Sequence, residues 1–240
     1  MDAIAAAREL AASARRVEVF TGAGMSAESG IVTYRDENTG VWENVDPQDL
    51  ASIDAWAKDP LTMWQWYFHR RQVAESVQPN AGHRAIATWP ADVSVTTQNI
   101  DNLHERAGSK NVVHLHGSLF EYRCCMCSRP WRGEVHYDAP PECPLCHNLV
   151  RPGVVWFGEP LPNREWDTAM RRMQEADLVV IIGTSGVVQP AAGLPVIAAE
   201  LGTPIIEISP QPTELTRLAT VWVEGRATCL ADIIPAPASD

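Results

Sequence analysis

Leu178-Val179-Val180-Ile181-Ile182-Gly183-Thr184-Ser185 is the stretch that decides the fold. An aliphatic run without polar alternation suits a strand buried on both faces of a parallel sheet. The chain turns on Gly183-Thr184-Ser185, is expected to be helical from Pro190 to Glu200, stops at Gly202, and re-enters an apolar run, Ile205–Ile208, opened by Pro204. From Asp177 to Ser209 this is one βαβ unit, with glycine ending the helix and proline opening the next strand. Val17–Thr21 runs in the same way into Gly22-Ala23-Gly24, and Val93–Thr97 into Gln98-Asn99. The predicted class is α/β, a Rossmann-like doubly wound parallel sheet.

Two segments break the alternation. Residues 36–80 are rich in tryptophan (Trp42, Trp56, Trp64, Trp66) and read as helices and loops, while 122–150 carry cysteines and prolines with little periodicity. Both read as insertions that together form a smaller lobe, one helical and one a zinc ribbon. The Rossmann-like lobe would then comprise about 1–35, 81–121 and 151–240 of a single domain spanning 1–240. The tail after Ile234, with Pro235 and Pro237, is expected to fray.

The 240 residues carry a net charge of −11 (19 basic against 30 acidic). That balance disfavours a protein that coats nucleic acid, which needs a basic face. No apolar run approaches the roughly 20 residues of a membrane span. Met1 to Leu10, with Asp2 and Glu9, reads as the start of an amphipathic helix and not as a leader, so a reducing cytoplasmic setting is expected; a monomer is expected too, though no residue pattern carries that.

Cys124, Cys127, Cys143 and Cys146 form C-x2-C-x15-C-x2-C. Two such pairs offer four thiolates to one tetrahedral ion, and four protein ligands leave no open position, so a structural Zn2+ is expected. Cys125 and Cys229 are left over and read as inert. Gly22-Ala23-Gly24-Met25-Ser26-Ala27 matches G-x-G-x-x-[G/A] directly after a strand, where bare glycine backbone lets N–H groups approach a pyrophosphate. Taken alone it could be a glycine-rich turn. A second glycine turn at Gly183 favours a dinucleotide, yet a dehydrogenase would carry an acidic residue about 20 positions past the first loop. Asp36 and Glu37 come too early for that.

Read in order, Gly22 to Ile31, Tyr34-Arg35, Thr97 to His104, His114-Leu115-His116-Gly117-Ser118, the cysteine pairs, Arg151 to Glu159 and Gly183-Thr184-Ser185 closely resemble the sirtuins, NAD-dependent protein lysine deacylases. The resemblance runs from about Val17 to Ala227. It implies that NAD is consumed: the acyl-lysine carbonyl oxygen attacks C1′ of the nicotinamide ribose, and the products are nicotinamide, O-acyl-ADP-ribose and free lysine. It implies His116 as the base, an imidazole whose ordinary pKa lies near working pH, with Asn99 as its catalytic companion. His114 reads as a structural histidine, although the residues alone do not separate the two.

The resemblance further implies NAD contacts from Gly22, Ala23, Gly24, Ser26, Ala27, Gly30, Tyr34, Arg35, Gln98, Asn99, Ile100 and Asp101, and from Gly183, Thr184, Ser185, Ser209 and Ala227. Asn99 and Asp101 are also N-cap types ahead of Leu103–Ala107, but capping needs only one of them, so the functional role is preferred. Val154, Phe157, Gly158 and Glu159 fall in the segment that would pair with a substrate backbone, an acyl-lysine-bearing protein or peptide. Tyr67-x-x-Arg70 places a phenol and a guanidinium on one helix face, a pair able to grip a carboxylate. In the succinyl- and malonyl-removing branch that pair reads the distal carboxylate, so desuccinylation and demalonylation are expected, with some deacetylation. Ser209 departs from the family's usual asparagine, which touches NAD affinity and not chemistry. An NAD- or ADP-ribose-binding regulator, a mono-ADP-ribosyltransferase and, less well supported, a zinc-ribbon nucleic-acid binder are the alternatives.

Overall fold

The structure, a computed structural model, describes residues 2–31 and 50–234. Its larger sheet has six parallel strands in the order β3-β2-β1-β7-β8-β9. These are β1 (Arg16–Thr21), β2 (Asp92–Thr97), β3 (Val112–His114), β7 (Leu178–Ile182), β8 (Ile205–Ser209) and β9 (Val221–Glu224). All five residues of β7 are at most 1% exposed. Val180 and Ile182 pack toward one helical layer while Val179 and Ile181 pack toward the other, which is why the strand reads as an unbroken apolar run. Each buried aliphatic side chain contributes about 1.5–3 kcal/mol.

One face is covered by α1 (Ala3–Ser13), α5 (Ala81–Thr88) and α9 (Leu230–Ile233), the other by α7 (Asn163–Glu175) and α8 (Leu194–Glu200). Strand order reverses between β1 and β7, so the crevice at their carboxyl ends is the natural ligand position of a doubly wound sheet. The short α2 (Gly24–Ala27) follows β1 there. The helix expected from Pro190 starts later: a 3-10 turn covers Ala191–Gly193, and α8 begins at Leu194 with Pro195 in its first turn. A proline lacks the N–H that an interior helical position requires, so it marks the start.

The smaller lobe joins α3 (Ile53–Lys58) and α4 (Pro60–Ser76) to an antiparallel sheet, β5-β4-β6: β5 (Pro130–Trp131), β4 (Gly117–Cys124) and β6 (Val150–Val154). Asp59 accepts from the Thr62 N–H and Pro60 occupies the first helical position, which fixes where α4 starts. Trp56, Trp64, Trp66 and Tyr67 share one apolar cluster with Leu119, Val154 and Trp156, so helical segment and ribbon form a common core. The small sheet already begins at Gly117, ahead of the expected boundary at Tyr122, because β4 continues unbroken into the first cysteine pair. The helix α6 (Leu103–Ala107) lies where the sequence places it, ended by Gly108 at φ 109°. Among the described residues, no helix is long and apolar enough to cross a membrane.

Candidate active site

The two glycine loops meet backbone to backbone. The Gly24 N–H donates to the Gly183 carbonyl at 2.8 Å, and the Gly22 N–H to that of Ile182 at 3.0 Å. A Cβ on Gly24 would lie 2.7 Å from Gly183 Cα, and one on Gly183, at φ +63°, 2.4 Å from Met25 N. No side chain fits between them, so the loops form a bare main-chain cradle at the switch point. Such a cradle suits a pyrophosphate. Gln98 spans it: its Nε2 donates to Thr184 Oγ1 at 3.0 Å, linking the end of β2 to the loop after β7.

A buried polar cluster lies beside the cradle. Ser26 Oγ donates to Asp101 Oδ2 at 2.9 Å and accepts from Asn99 Nδ2 at 3.2 Å. Asp101 Oδ1 also takes the Leu103 N–H, the first of α6, at 3.0 Å, so this carboxylate holds the helix start, one residue ahead of the Asn102 cap position, while it orders the site. Burial pushes the Asp101 carboxyl above the usual carboxylate range, against the opposing hydrogen bonds from Leu103 and Ser26. Thr97 Oγ1 accepts the Asn99 N–H at 3.0 Å and the Thr21 hydroxyl at 2.8 Å.

The structure separates the two histidines. His114 is held on both ring nitrogens, Nδ1 by the Asn99 carbonyl at 2.8 Å and Nε2 by Glu105 Oε1 at 2.7 Å. Burial alone would lower its pKa, but Glu105, Asn99 and Asp101 together outweigh it and raise the value, so His114 is half of an ion pair. Among the described residues His116 has a hydrogen bond at Nδ1 only, with the Gln98 carbonyl at 3.0 Å. A carbonyl can only accept, so Nδ1 carries the proton and Nε2 presents a lone pair. Burial holds the His116 pKa below the ordinary imidazole value although the Gln98 carbonyl pulls upward, so the ring is a neutral base at neutral pH.

The carbonyl of His116 accepts the Val155 N–H at 2.8 Å, which places residues 154–159 directly beside this base. The far side of the segment is pinned by the Phe157 N–H to the Ala51 carbonyl at 2.7 Å. Val154 is buried, whereas Phe157 is 52% exposed and Gly158 adopts φ 87° with nothing among the described residues within 4 Å of its would-be Cβ. Glu159, expected to meet substrate, turns its carboxylate inward: Arg151 Nη1 and Nη2 donate to it at 2.6 and 2.9 Å and the Trp156 N–H at 2.8 Å. It is the counter-ion of a buried arginine and the clasp of the segment. Tyr67 lies on α4, and its hydroxyl accepts from Trp156 Nε1 at 3.0 Å. Arg70, one turn on, has its guanidinium 4.7 Å from the Trp66 ring centroid. Arg71 points elsewhere, to Glu75 and the Tyr122 hydroxyl, each at 2.9 Å.

The four cysteine sulfurs converge. All lie within 4.8 Å of one another, with nearest separations of 3.4, 3.7 and 3.7 Å. A tetrahedron with metal–sulfur bonds of about 2.3 Å has sulfurs about 3.8 Å apart, so these thiolates fit a zinc ion. Both turns close alike, with Ser128 and His147 each at φ 57° directly after the second cysteine of its pair.

The Sir2 family pattern matches residues 22–190, a span that includes both glycine loops, His116 and all four cysteines. "NAD-dependent protein deacylase 2" of Corynebacterium efficiens is 60% identical over 249 aligned positions, covering 98% of this chain and 95% of that protein. The chain belongs to the Sir2 family. A solved Sir2 homologue in complex with NAD superposes with a TM-score of 0.88 at 44% identity, covering 94% of this chain and 90% of that one. A second Sir2 structure, holding a deacetylated p53 peptide and 3′-O-acetyl-ADP-ribose, superposes at 0.82 with 30% identity and 95% of each chain.

Other residues expected to contact NAD take the following places in this Sir2 fold. Gly30 closes the first loop at φ 97°, and Ile100 takes the Leu119 N–H on its carbonyl at 2.9 Å. Ala27 ends α2, and Ala227 is buried with its carbonyl against Gly82. Thr228 donates through its N–H and hydroxyl to Glu28, both at 3.0 Å, tying the C-terminal segment to the first loop. Ser209 is 3% exposed, and its Oγ accepts from Trp222 Nε1 at 2.9 Å. Tyr34 and Arg35 lie outside the described residues. The sequence reading missed Glu28, Thr97, Asn80, whose Nδ2 holds the Met25 carbonyl at 2.8 Å, and Arg151 as supports. Glu28, Thr97 and Asn80 act on partners far along the chain, and Arg151 on a carboxylate that only the folded segment turns toward it, so no local pattern announces them.

Proposed function

We propose that this chain, an NAD-dependent protein deacylase, removes succinyl, malonyl and acetyl groups from lysine side chains, with the acidic acyl groups preferred. One observation carries the reading: a neutral imidazole, His116, has its proton fixed by the Gln98 carbonyl, while the Gln98 side chain bonds Thr184 of the second glycine loop and the His116 main-chain carbonyl pairs with Val155 of the 154–159 segment. NAD, when bound, supplies an electrophilic ribose carbon and a departing nicotinamide. His116 Nε2 takes the proton of a ribose hydroxyl, and the Gln98 carbonyl steadies the imidazolium that results.

Ser26, Asn99 and Asp101, already joined by hydrogen bonds, hold the amide and carboxyl that face nicotinamide and ribose. The N–H groups of Val155, Trp156, Phe157 and Glu159 all donate to the protein itself, so pairing with a peptide backbone would rest on the segment's carbonyls and on Gly158. Preference for an acidic acyl group is supported by Tyr67 meeting the acyl-lysine segment at Trp156, with Arg70 on the same helix and Arg71 committed to Glu75. A site built for a carboxylate disfavours a neutral acetyl group, which leaves buried polar groups unmatched.

Matched succinyl-, malonyl- and acetyl-lysine peptides incubated with NAD, followed by mass spectrometry of O-acyl-ADP-ribose, test the proposal. Arg70→Met should lower turnover of the two acidic acyl peptides by at least about tenfold while sparing the acetyl peptide. Equal loss on all three peptides would refute acyl reading by Arg70. NAD-dependent labelling of protein with ADP-ribose and no acyl product would replace deacylation altogether.

A further inference from the structure

We infer that Trp156 is a positioning residue for acyl selectivity: its indole N–H sets the orientation of the Tyr67 hydroxyl and locks the acyl-lysine segment to helix α4. The inference rests on the acyl-reading role of Tyr67 and Arg70 proposed above. Trp156 is 2% exposed and Tyr67 3%, and Nε1 lies 3.0 Å from the phenol oxygen with ring centroids 6.2 Å apart. An indole nitrogen can only donate. The direction of this bond is therefore unambiguous: the phenol oxygen accepts from Trp156, and its own proton points away from the indole. Loss of the N–H removes this constraint on the phenol and its proton.

The indole is itself held on other sides. The Arg151 guanidinium carbon sits 3.1 Å from its ring centroid, and Arg151 is fixed by both oxygens of Glu159 and by the Val154 carbonyl at 2.8 Å. Glu159 in turn takes the Trp156 backbone N–H at 2.8 Å. Trp56, from α3, packs at 5.5 Å between centroids. The Glu159–Arg151 clasp, the indole and the phenol thus form one continuous chain from the segment beside His116 to the helix carrying Tyr67 and Arg70. A buried tryptophan serving only to fill the core would affect every substrate alike. A tryptophan that aims Tyr67 affects substrates that use the phenol.

The test compares zinc-loaded wild type with Trp156→Phe, which keeps an aromatic ring over Arg151 and removes the donor. kcat and KM are measured with succinyl- and acetyl-lysine peptides of one sequence at saturating NAD. The succinyl-to-acetyl ratio of kcat/KM should fall about fivefold, the equivalent of one neutral hydrogen bond, with the acetyl value within about twofold of wild type. In a Tyr67→Phe background the same substitution should shift the ratio no further, because the oxygen it addresses is gone. If Trp156→Phe folds poorly, 3-benzothienylalanine at position 156 keeps the bicyclic shape and removes only the donor. An unchanged ratio in these variants, or a full additional loss in the Tyr67→Phe background, overturns the inference. If Tyr67→Phe alone leaves the ratio unmoved, the acyl reading fails and the inference falls with it. If Tyr67→Phe moves the ratio and the position-156 variants do not, only the inference is wrong.

Discussion

Replacing Gly183 with alanine probes the cradle where it is tightest. At φ +63° an alanine sits in the left-handed region, at about 1–2 kcal/mol. Its Cβ would also stand 2.4 Å from Met25 N and 2.5 Å from Gly24 C. Both neighbours are main chain, so no rotamer change relieves the contact, and the loops must part by about 1 Å to reach ordinary van der Waals distance. Overpacking of that kind costs about 1–3 kcal/mol, for a total loss of about 2–5 kcal/mol. The molecule contains its own control. Gly202 has φ +77° with nothing among the described residues within 4 Å of its would-be Cβ, so Gly202→Ala carries the left-handed cost alone, about 1–2 kcal/mol. Urea unfolding at constant slope measures both losses, and calorimetric titration with NAD reads the cradle itself. Parting the loops removes the Gly24 N–H bond to the Gly183 carbonyl, so NAD affinity should fall at least about tenfold in Gly183→Ala and stay unchanged in Gly202→Ala. Equal destabilisation of the two variants, with normal NAD binding by both, would refute the close-approach argument.

Removing zinc with a strong chelator should lower the unfolding temperature and disturb the fluorescence of Trp56 and Trp64, which share a core with the ribbon; metal-free protein that melts like the loaded form would argue against a structural site. Because burial depresses His116, the acid limb of kcat/KM should show an apparent pKa below the ordinary 6.5, and a limb at or above that value would exclude this ring as the titrating base. Burial also lowers His83 to about 4, with Arg84 adding to the effect. The unfolded chain takes up this proton near 6.5 and the folded one only near 4, so stability is complete above 6.5 and declines as pH falls between those values, by about 3 kcal/mol from this residue. Urea midpoints across that window should show the decline, and His83→Gln should flatten it. Arg151→Met leaves the Glu159 carboxylate only the longer Arg123 contact at 3.5 Å and the Trp156 N–H, and should cost about 1.5–3 kcal/mol in urea unfolding, and less when combined with Glu159→Gln.

What could be read from the sequence was what depends on neighbours along the chain. The strands at Val17, Val93, Leu178 and Ile205, the glycine loops and the cysteine pairs carry their signals within a few residues. His114 and His116 did not separate, because the difference lies in Glu105 and Gln98, which reach them only through the fold. Glu159 read as a substrate contact because its segment faces the site, whereas its carboxylate is drawn inward by Arg151. Ser209 read as a weakened ribose contact. The structure adds that Trp222, on the adjacent strand β9, already occupies its oxygen. Partnerships set by tertiary contact and not by chain spacing leave no pattern to recognise.

The sheet order also bears on how the protein is made. β1 pairs with β2 on one side and with β7 on the other, matching Val17 to Val93 and also to Leu178. A ribosome releasing the chain from its N-terminus therefore delivers the first half of the cradle long before the second. Until β7 emerges, β1 has an unpaired edge of buried type, and Gly22 and Gly24 have nothing to close against. Such edges invite pairing with other chains, and contacts this distant in sequence form slowly. A product truncated before Gly183 would be a sticky half-sheet with no cofactor site, so the window between synthesis of the two loops is when this protein most needs a chaperone.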